Sequence, residues 1–202
     1  MPASIELCPI QLPGRQNRLA ESPPEDLISL AETLSDVLQP LFDLPFAIFG
    51  HSMGALLGYE LARRLRSRAG LSPAHLIVSG SEAPQVPGAG RHLEGVGDDE
   101  LVERAEIPGE IRENPEVLAL VLPALRADIM MCARYVYEPG GVLDCPVSAL
   151  GGHRDPQVPT TSLDKWQIHT TGAFERRVFP GEHLYLLQRP EDVAAVATQR
   201  LV

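Results

Sequence analysis

The stretch Phe46-Ala47-Ile48-Phe49-Gly50-His51-Ser52-Met53-Gly54-Ala55-Leu56-Leu57 decides how the rest of the sequence is read. Phe46 to Phe49 is an unbroken apolar run, the pattern of a strand buried on both faces. It leads directly into Gly50-His51-Ser52-Met53-Gly54, a G-x-S-x-G pattern. Leu57, Leu61 and Leu65 then recur at every fourth position, one stripe of a helix. Arg63, Arg64, Arg66 and Arg68 cluster at its far end, where the helix dipole favours cations. Strand, tight turn and helix in that order are what an exposed serine nucleophile requires. The serine sits on a sharp, strained turn, and flanking glycines let neighbouring backbone pass close by. The N–H groups of the following helix point at a developing oxyanion. The competing reading is a tight glycine turn with a solvated serine.

Outward from this stretch, the same rhythm continues. Upstream, Ile5 to Ile10 reads as a short strand and Gln11 to Arg18 as a turn-rich loop. Ser22 and Glu25 have capping-box spacing for a helix carrying Leu27, Leu30, Ala31, Leu34, Leu38 and Leu41 on one stripe. Downstream, His75 to Ser79 is a second buried strand, so strand, helix and strand alternate as in an α/β fold with a mostly parallel sheet flanked by helices. Glu82 to Gly97 is rich in Pro and Gly, and from Asp98 to about Tyr137 the pattern is helical, with Asp98 opening one helix and Pro115 another. Residues 84–130 therefore read as a helical insertion. The strand pattern returns at Pro146–Leu150 and Phe174–Phe179, before a last helix from Glu191. The whole, 1–202, is expected to be a single domain.

The chain has 202 residues and a net charge of −10, which argues against a nucleic-acid partner, because phosphate binding needs a basic face. No apolar run is long enough for a membrane helix, and Met1 to Leu7 has neither the basic start nor the apolar core of a signal peptide. Cys8, Cys132 and Cys145 have no CxxC spacing and fit buried thiols in a reducing cytoplasm. No set of His, Cys and Glu has metal-ligand spacing, so neither a metal nor another cofactor is expected.

A serine needs a base, and the base an orienting acid. In this architecture the chain order is Ser, acid, His. Asp155 follows the Pro146–Leu150 strand in Gly151-Gly-His-Arg-Asp155-Pro156, and His183 follows the next strand in Phe179-Pro-Gly-Glu-His183. Both loops lie at the carboxyl edge of a parallel sheet, where sites of such folds are built. The bland alternatives are a turn aspartate before proline and a structural histidine. Of the other histidines, His51 is expected to pack beside the site and His153 to be solvated or to support the site from outside it, while His75 precedes a strand and His92 and His169 lie in loop or helix context. Asp128 follows an apolar helical stretch and reads by pattern as a solvated helix residue.

Taken together, Gln11-Leu-Pro-Gly-Arg15, Gly50-His-Ser-Met-Gly54, Leu122-Pro-Ala-Leu-Arg-Ala-Asp128, Tyr135-Val-Tyr137, Cys145-Pro-Val, Gly151-Gly-His-Arg-Asp-Pro156, Trp166 and Phe179-Pro-Gly-Glu-His183 resemble the type II thioesterases. These are the stand-alone editing enzymes of polyketide and nonribosomal peptide assembly lines. The stretches run in family order over nearly the whole chain. The resemblance implies an α/β-hydrolase fold, a Ser52–His183–Asp155 triad and a helical lid at the insertion, with Asp128 ordering the lid or pocket. It implies Met53 as one oxyanion donor. It implies hydrolysis of acyl groups from the phosphopantetheine arm of an acyl- or peptidyl-carrier protein. Arg63 to Arg68 is then either a docking face or merely a solvated helix end. The family opens with a strand, a Phe-Pro-x-Ala-Gly-Gly-Ser-like loop and a helix that nothing here matches, so by this resemblance the chain is N-terminally truncated relative to the family. The alternatives are a non-catalytic carrier-binding protein of the same shape and a general cytoplasmic serine esterase.

Overall fold

Parallel strands cannot be joined by tight hairpins; each pair needs a crossover. In a computed structural model describing residues 4–87, 95–105, 107–199 and 201, the crossovers join four strands. These are β1 (Ala47–His51), β2 (His75–Ser79), β3 (Val147–Gly152) and β4 (Phe174–Phe179). They form one sheet in the order β1-β2-β3-β4, all neighbours parallel. The helices are α1 (Leu27–Leu38), α2 (Met53–Arg64), α3 (Asp98–Arg104), α4 (Gly109–Arg112), α5 (Pro115–Arg134), α6 (Tyr185–Gln188) and α7 (Pro190–Thr198). A long 3-10 segment, Thr160–His169, lies between β3 and β4.

The residues fall into two compact units: Met1–Leu7, Ile28–Pro87 and Val136–Val202 in the first, Cys8–Leu27 and Gly88–Tyr135 in the second. The first holds the sheet. Its central strands, β2 and β3, are buried at every position. One core cluster joins Ile77 of β2 and Leu150 of β3 to Tyr185, Val193 and Val196 of α6 and α7. α2 packs on β1 and β2 and is buried from Ala55 to Ala62, Glu60 included. Glu60 is tolerated there because Arg63 and Arg64 both pair with it. Arg66 and Arg68 pair with Asp144 and Asp36, so the basic helix end is charge-compensated rather than a free cationic face.

The second unit carries α3, α4 and α5. Asn114 caps α5 by accepting the Val117 N–H at 3.2 Å, and Pro115 fills the first turn, where its missing N–H costs nothing. Arg126 on α5 pairs with Asp98 at the start of α3 and donates to the Val96 carbonyl. His92 lies outside the described residues, as do positions 88–94 and 106 of the expected insertion.

Several local expectations are corrected. Ile5–Ile10 is not a strand: it joins no ladder, Leu7 is 74% exposed, and Pro9 lacks an N–H to donate. α1 starts at Leu27, not after Ser22, because Pro23 and Pro24 hold the residues before them extended. Leu41 falls in a 3-10 turn with Pro40 and is exposed, while Leu27, Leu30, Ala31 and Leu38 are buried as expected. β1 is less buried than an unbroken apolar run suggests, since it pairs with β2 alone among the described residues and Phe49 is 42% exposed. Cys145 is buried, but Cys8 is exposed.

Ile77 is fully buried between the sheet and the C-terminal helices. Ile77→Ala is expected to cost about 2–5 kcal/mol, read as a lowered urea midpoint.

Candidate active site

The end of β1 is bent hard into α2. Ser52, at the bend, has φ 54° and ψ −122°, a conformation that a non-glycine residue adopts only under constraint. Two contacts supply the constraint. Ser52 N–H donates to the Ser79 carbonyl at the end of β2, at 2.8 Å. Gly50 lies so close to the first turn of α2 that a Cβ on it would stand 1.9 Å from the Gly54 carbonyl oxygen. Gly54 itself has open space where a Cβ would go, so only the first glycine of the motif is sterically compelled here. The half-buried Ser52 hydroxyl makes no cap bond to its own helix.

The loops after β3 and β4 are laced together. His153 N–H donates to the Phe179 carbonyl at 2.8 Å, and Arg154 N–H to the Gly181 carbonyl at 2.9 Å. A side chain at Gly152 would meet the Glu182 carbonyl oxygen at 2.2 Å, so a glycine there lets the His183 loop lie directly on the end of β3. The result is Asp155 Oδ2 at 2.8 Å from His183 Nδ1, with both side chains almost wholly buried. Asp155 Oδ1 accepts the N–H groups of Gln157 and Val158 at 2.8 and 3.1 Å. Asp155 is thus both a turn aspartate and the partner of His183. An ionised carboxylate only accepts, so His183 donates from Nδ1 and keeps Nε2 as the basic nitrogen.

His51 joins this pair to the serine turn. Its ring centroid lies 4.9 Å from that of His183. Gly80 makes room for both rings: a Cβ there would stand 2.6 Å from His51 Cε1 and 3.2 Å from His183 Cε1. His183 and Ser52 are not themselves hydrogen-bonded, and such pairs commonly tighten only in the Michaelis complex. Burial pushes the His51 imidazole down to about 4, with His183 adding to the effect and Asp155 opposing it. His153 is exposed, as expected. His75 bonds Ser148 at 2.7 Å, and His169 bonds Tyr59 at 2.9 Å, both in buried positions. Among the described residues, no three His, Cys, Asp or Glu side chains cluster as metal ligands.

Asp128, in the second unit, is not a solvated helix residue. Arg15 holds it with two bonds, 2.8 and 3.1 Å, and its side chain is 20% exposed. Burial raises the Asp128 carboxyl above its ordinary range, and Arg15 offsets part of that. Arg15 closes the Gln11–Arg15 motif, where nothing local marks it as a partner for Asp128. Arg15 and Asp128 are 113 residues apart, and no local pattern pairs them.

A strained serine at a strand–helix turn, with a buried Asp–His pair at the same sheet edge, agrees with what comparison shows. Residues 1–200 match the Thioesterase domain family. The chain belongs to that family. It is 39% identical over 191 residues to the gramicidin S biosynthesis protein GrsT of Aneurinibacillus migulanus, covering 93% of this chain and 75% of that protein. It is 40% identical over 189 residues to thioesterase PikA5 of Streptomyces venezuelae, covering 91% and 66%. Among solved structures, the type II thioesterase BorB from the borrelidin biosynthetic cluster superposes with a TM-score of 0.85 at 39% identity, covering 95% of this chain and 80% of that one. This thioesterase therefore has the α/β-hydrolase architecture and is a hydrolase.

Two outcomes follow from the site of this thioesterase. Gly80→Ala, which forces a Cβ onto both rings at a φ of +54°, is expected to lower turnover at least about tenfold as His183 is displaced. Burial holds His169 at about 4 as well, with Arg63 adding and Glu60 opposing. The unfolded chain takes up protons on His51 and His169 near 6.5, the folded chain only near 4. Stability contributed by the neutral rings is complete above that window and falls as pH drops through it. Thermal melting at successive pH values is expected to show this decline, with His169→Gln flattening part of the slope.

Proposed function

We propose that this thioesterase hydrolyses acyl groups from the phosphopantetheine arm of acyl- or peptidyl-carrier proteins, clearing stalled or mis-primed chains from an assembly line. The observation that carries the reading is the 2.8 Å His183–Asp155 pair beside a serine at φ 54°, in a chain similar to biosynthetic thioesterases. His183 Nε2 takes the Ser52 proton while Ser52 Oγ bonds the thioester carbonyl carbon. Asp155 holds the imidazole in its tautomer and stabilises the imidazolium. The carbon–sulfur bond breaks, the thiolate leaves with the proton from His183, and an acyl-Ser52 ester remains. Water activated by His183 then releases the acid. Met53 N–H is the oxyanion donor in this scheme: it is first in α2 and has no carbonyl four residues back within the helix.

The helical insertion at 84–130 is the lid segment in this reading, with Asp128 ordering it through the Arg15–Asp128 pair, which fixes α5 to the loop at Arg15. The partner surface on the carrier is phosphopantetheine and its flanking chain, and the reaction is placed in the cytoplasm, where assembly lines work. None of the described helices is long and apolar enough to cross a membrane.

The test uses acyl-N-acetylcysteamine thioesters, the matching oxoesters and a fluorophosphonate probe. The native protein is expected to be labelled at Ser52 and to turn over thioesters faster than oxoesters. Ser52→Ala is expected to remove labelling and at least about 10³-fold of turnover. Asp155→Asn is expected to lower kcat by about 10⁴-fold, because the amide favours the wrong imidazole tautomer. Unchanged turnover in Ser52→Ala overturns the triad. Preference for oxoesters points to a general esterase, and an unlabelled native protein to a non-catalytic carrier binder.

A further inference from the structure

Three polar side chains beside the triad have no part in its chemistry. Ser79 closes β2, and Tyr185 opens α6 two residues after His183; both are fully buried. The Tyr185 hydroxyl lies 2.6 Å from Ser79 Oγ, and Ser79 Oγ lies 2.9 Å from His51 Nδ1. A continuous chain of side-chain hydrogen bonds thus runs from just after the base to just before the nucleophile.

Packing alone does not call for this chain. Phenylalanine at 185 would fill nearly the same volume, stacked as Tyr185 is on Phe179 at 5.4 Å, without a hydroxyl to desolvate. Hydrogen bonds between buried side chains favour one arrangement of the elements that carry them, even though the far nitrogen of His51, Nε2, has no partner here. Here those elements are the two whose separation sets the nucleophile–base distance. Ser79 touches both. Its carbonyl accepts the Ser52 N–H at 2.8 Å, and its hydroxyl bonds Tyr185 from the His183 side. The next residue, Gly80, donates its N–H to the Leu150 carbonyl at 2.9 Å, which ties the hub to β3 and the Asp155 loop. The His51 ring, held by Ser79, lies tilted against His183, with ring centroids 4.9 Å apart.

We propose that Ser79, Tyr185 and His51 are positioning residues that hold the His183 loop at working distance from the Ser52 turn. The proposal rests on the Ser52–His183–Asp155 reading. Burial and the neighbouring His183 keep His51 uncharged, so its ring does not oppose the imidazolium formed during turnover.

The experiment compares native protein with Tyr185→Phe, His51→Leu and His51→Asn. The last keeps a polar atom near the position of Nδ1. Readouts are the rate of Ser52 labelling by a fluorophosphonate, which needs the base but no thioester, and kcat and KM on an acyl-N-acetylcysteamine. Tyr185→Phe and His51→Leu are expected to lower labelling and kcat about tenfold while KM stays within about twofold, and His51→Asn to restore most of the loss. Melting temperatures separate this from general loosening, since Tyr185→Phe removes one oxygen and is expected to stay folded. Native-like labelling and kcat in Tyr185→Phe and His51→Leu overturn the proposal. So does His51→Leu matching or exceeding His51→Asn, the result of a packing role alone. An unlabelled native protein is a different result: it overturns the triad reading itself, and the positioning role with it.

Discussion

The structure depends on holding one residue where it would not go by itself. Ser52 at φ 54° is in a conformation that costs on the order of 1–3 kcal/mol for a non-glycine residue. The 2.8 Å bond from its N–H to the Ser79 carbonyl, and the close pass of Gly50 under Gly54, keep it there. The strain has a structural consequence that a relaxed turn would lack. It ends the strand at His51 and starts α2 at Met53, the very next residue after the serine.

The second half of the site is assembled by backbone. Asp155 and His183 stand on different loops, 28 residues apart. Two backbone hydrogen bonds between those loops, and the lack of a side chain at Gly152, bring them to 2.8 Å. Once there, the carboxylate accepts three hydrogen bonds: one oxygen from His183, the other from two N–H groups. A carboxylate so held cannot swing away, which is what an orienting acid has to provide. The Arg15–Asp128 pair does similar work in the other unit, fixing a helix with a bidentate geometry that lysine cannot reproduce.

Much of this was legible in the residues. Four of the five expected strands exist, and the helix starts at Asp98 and Pro115 are where the acidic run and the proline placed them. Asp155 and His183 stand together because each was read from a strand–loop position, and in a parallel sheet all such positions, the Ser52 turn included, share one edge. Local patterns failed where the answer lay in a partner. Ile5–Ile10 has strand residues but no strand to pair with, and Phe49 has a core residue's chemistry at a position with one neighbour. Asp128 looked solvated because its cation comes from 113 residues away. Of the Ser79–Tyr185–His51 chain only His51 was expected near the site, since a serine at a strand end and a tyrosine in a short helix carry no local signal until folded together.

By itself, then, the sequence determined the alternation of strand and helix, the turn that bears the serine, and the order of acid and base. These are set by short-range physics: apolar period, glycine's missing Cβ, proline's missing N–H. Only the tertiary structure decided which nitrogen of His183 faces Asp155, which histidine is held neutral beside it, and which aspartate is paired with an arginine. Those outcomes depend on burial and on distances between residues far apart in the chain. Both are properties of the packed fold rather than of any local stretch.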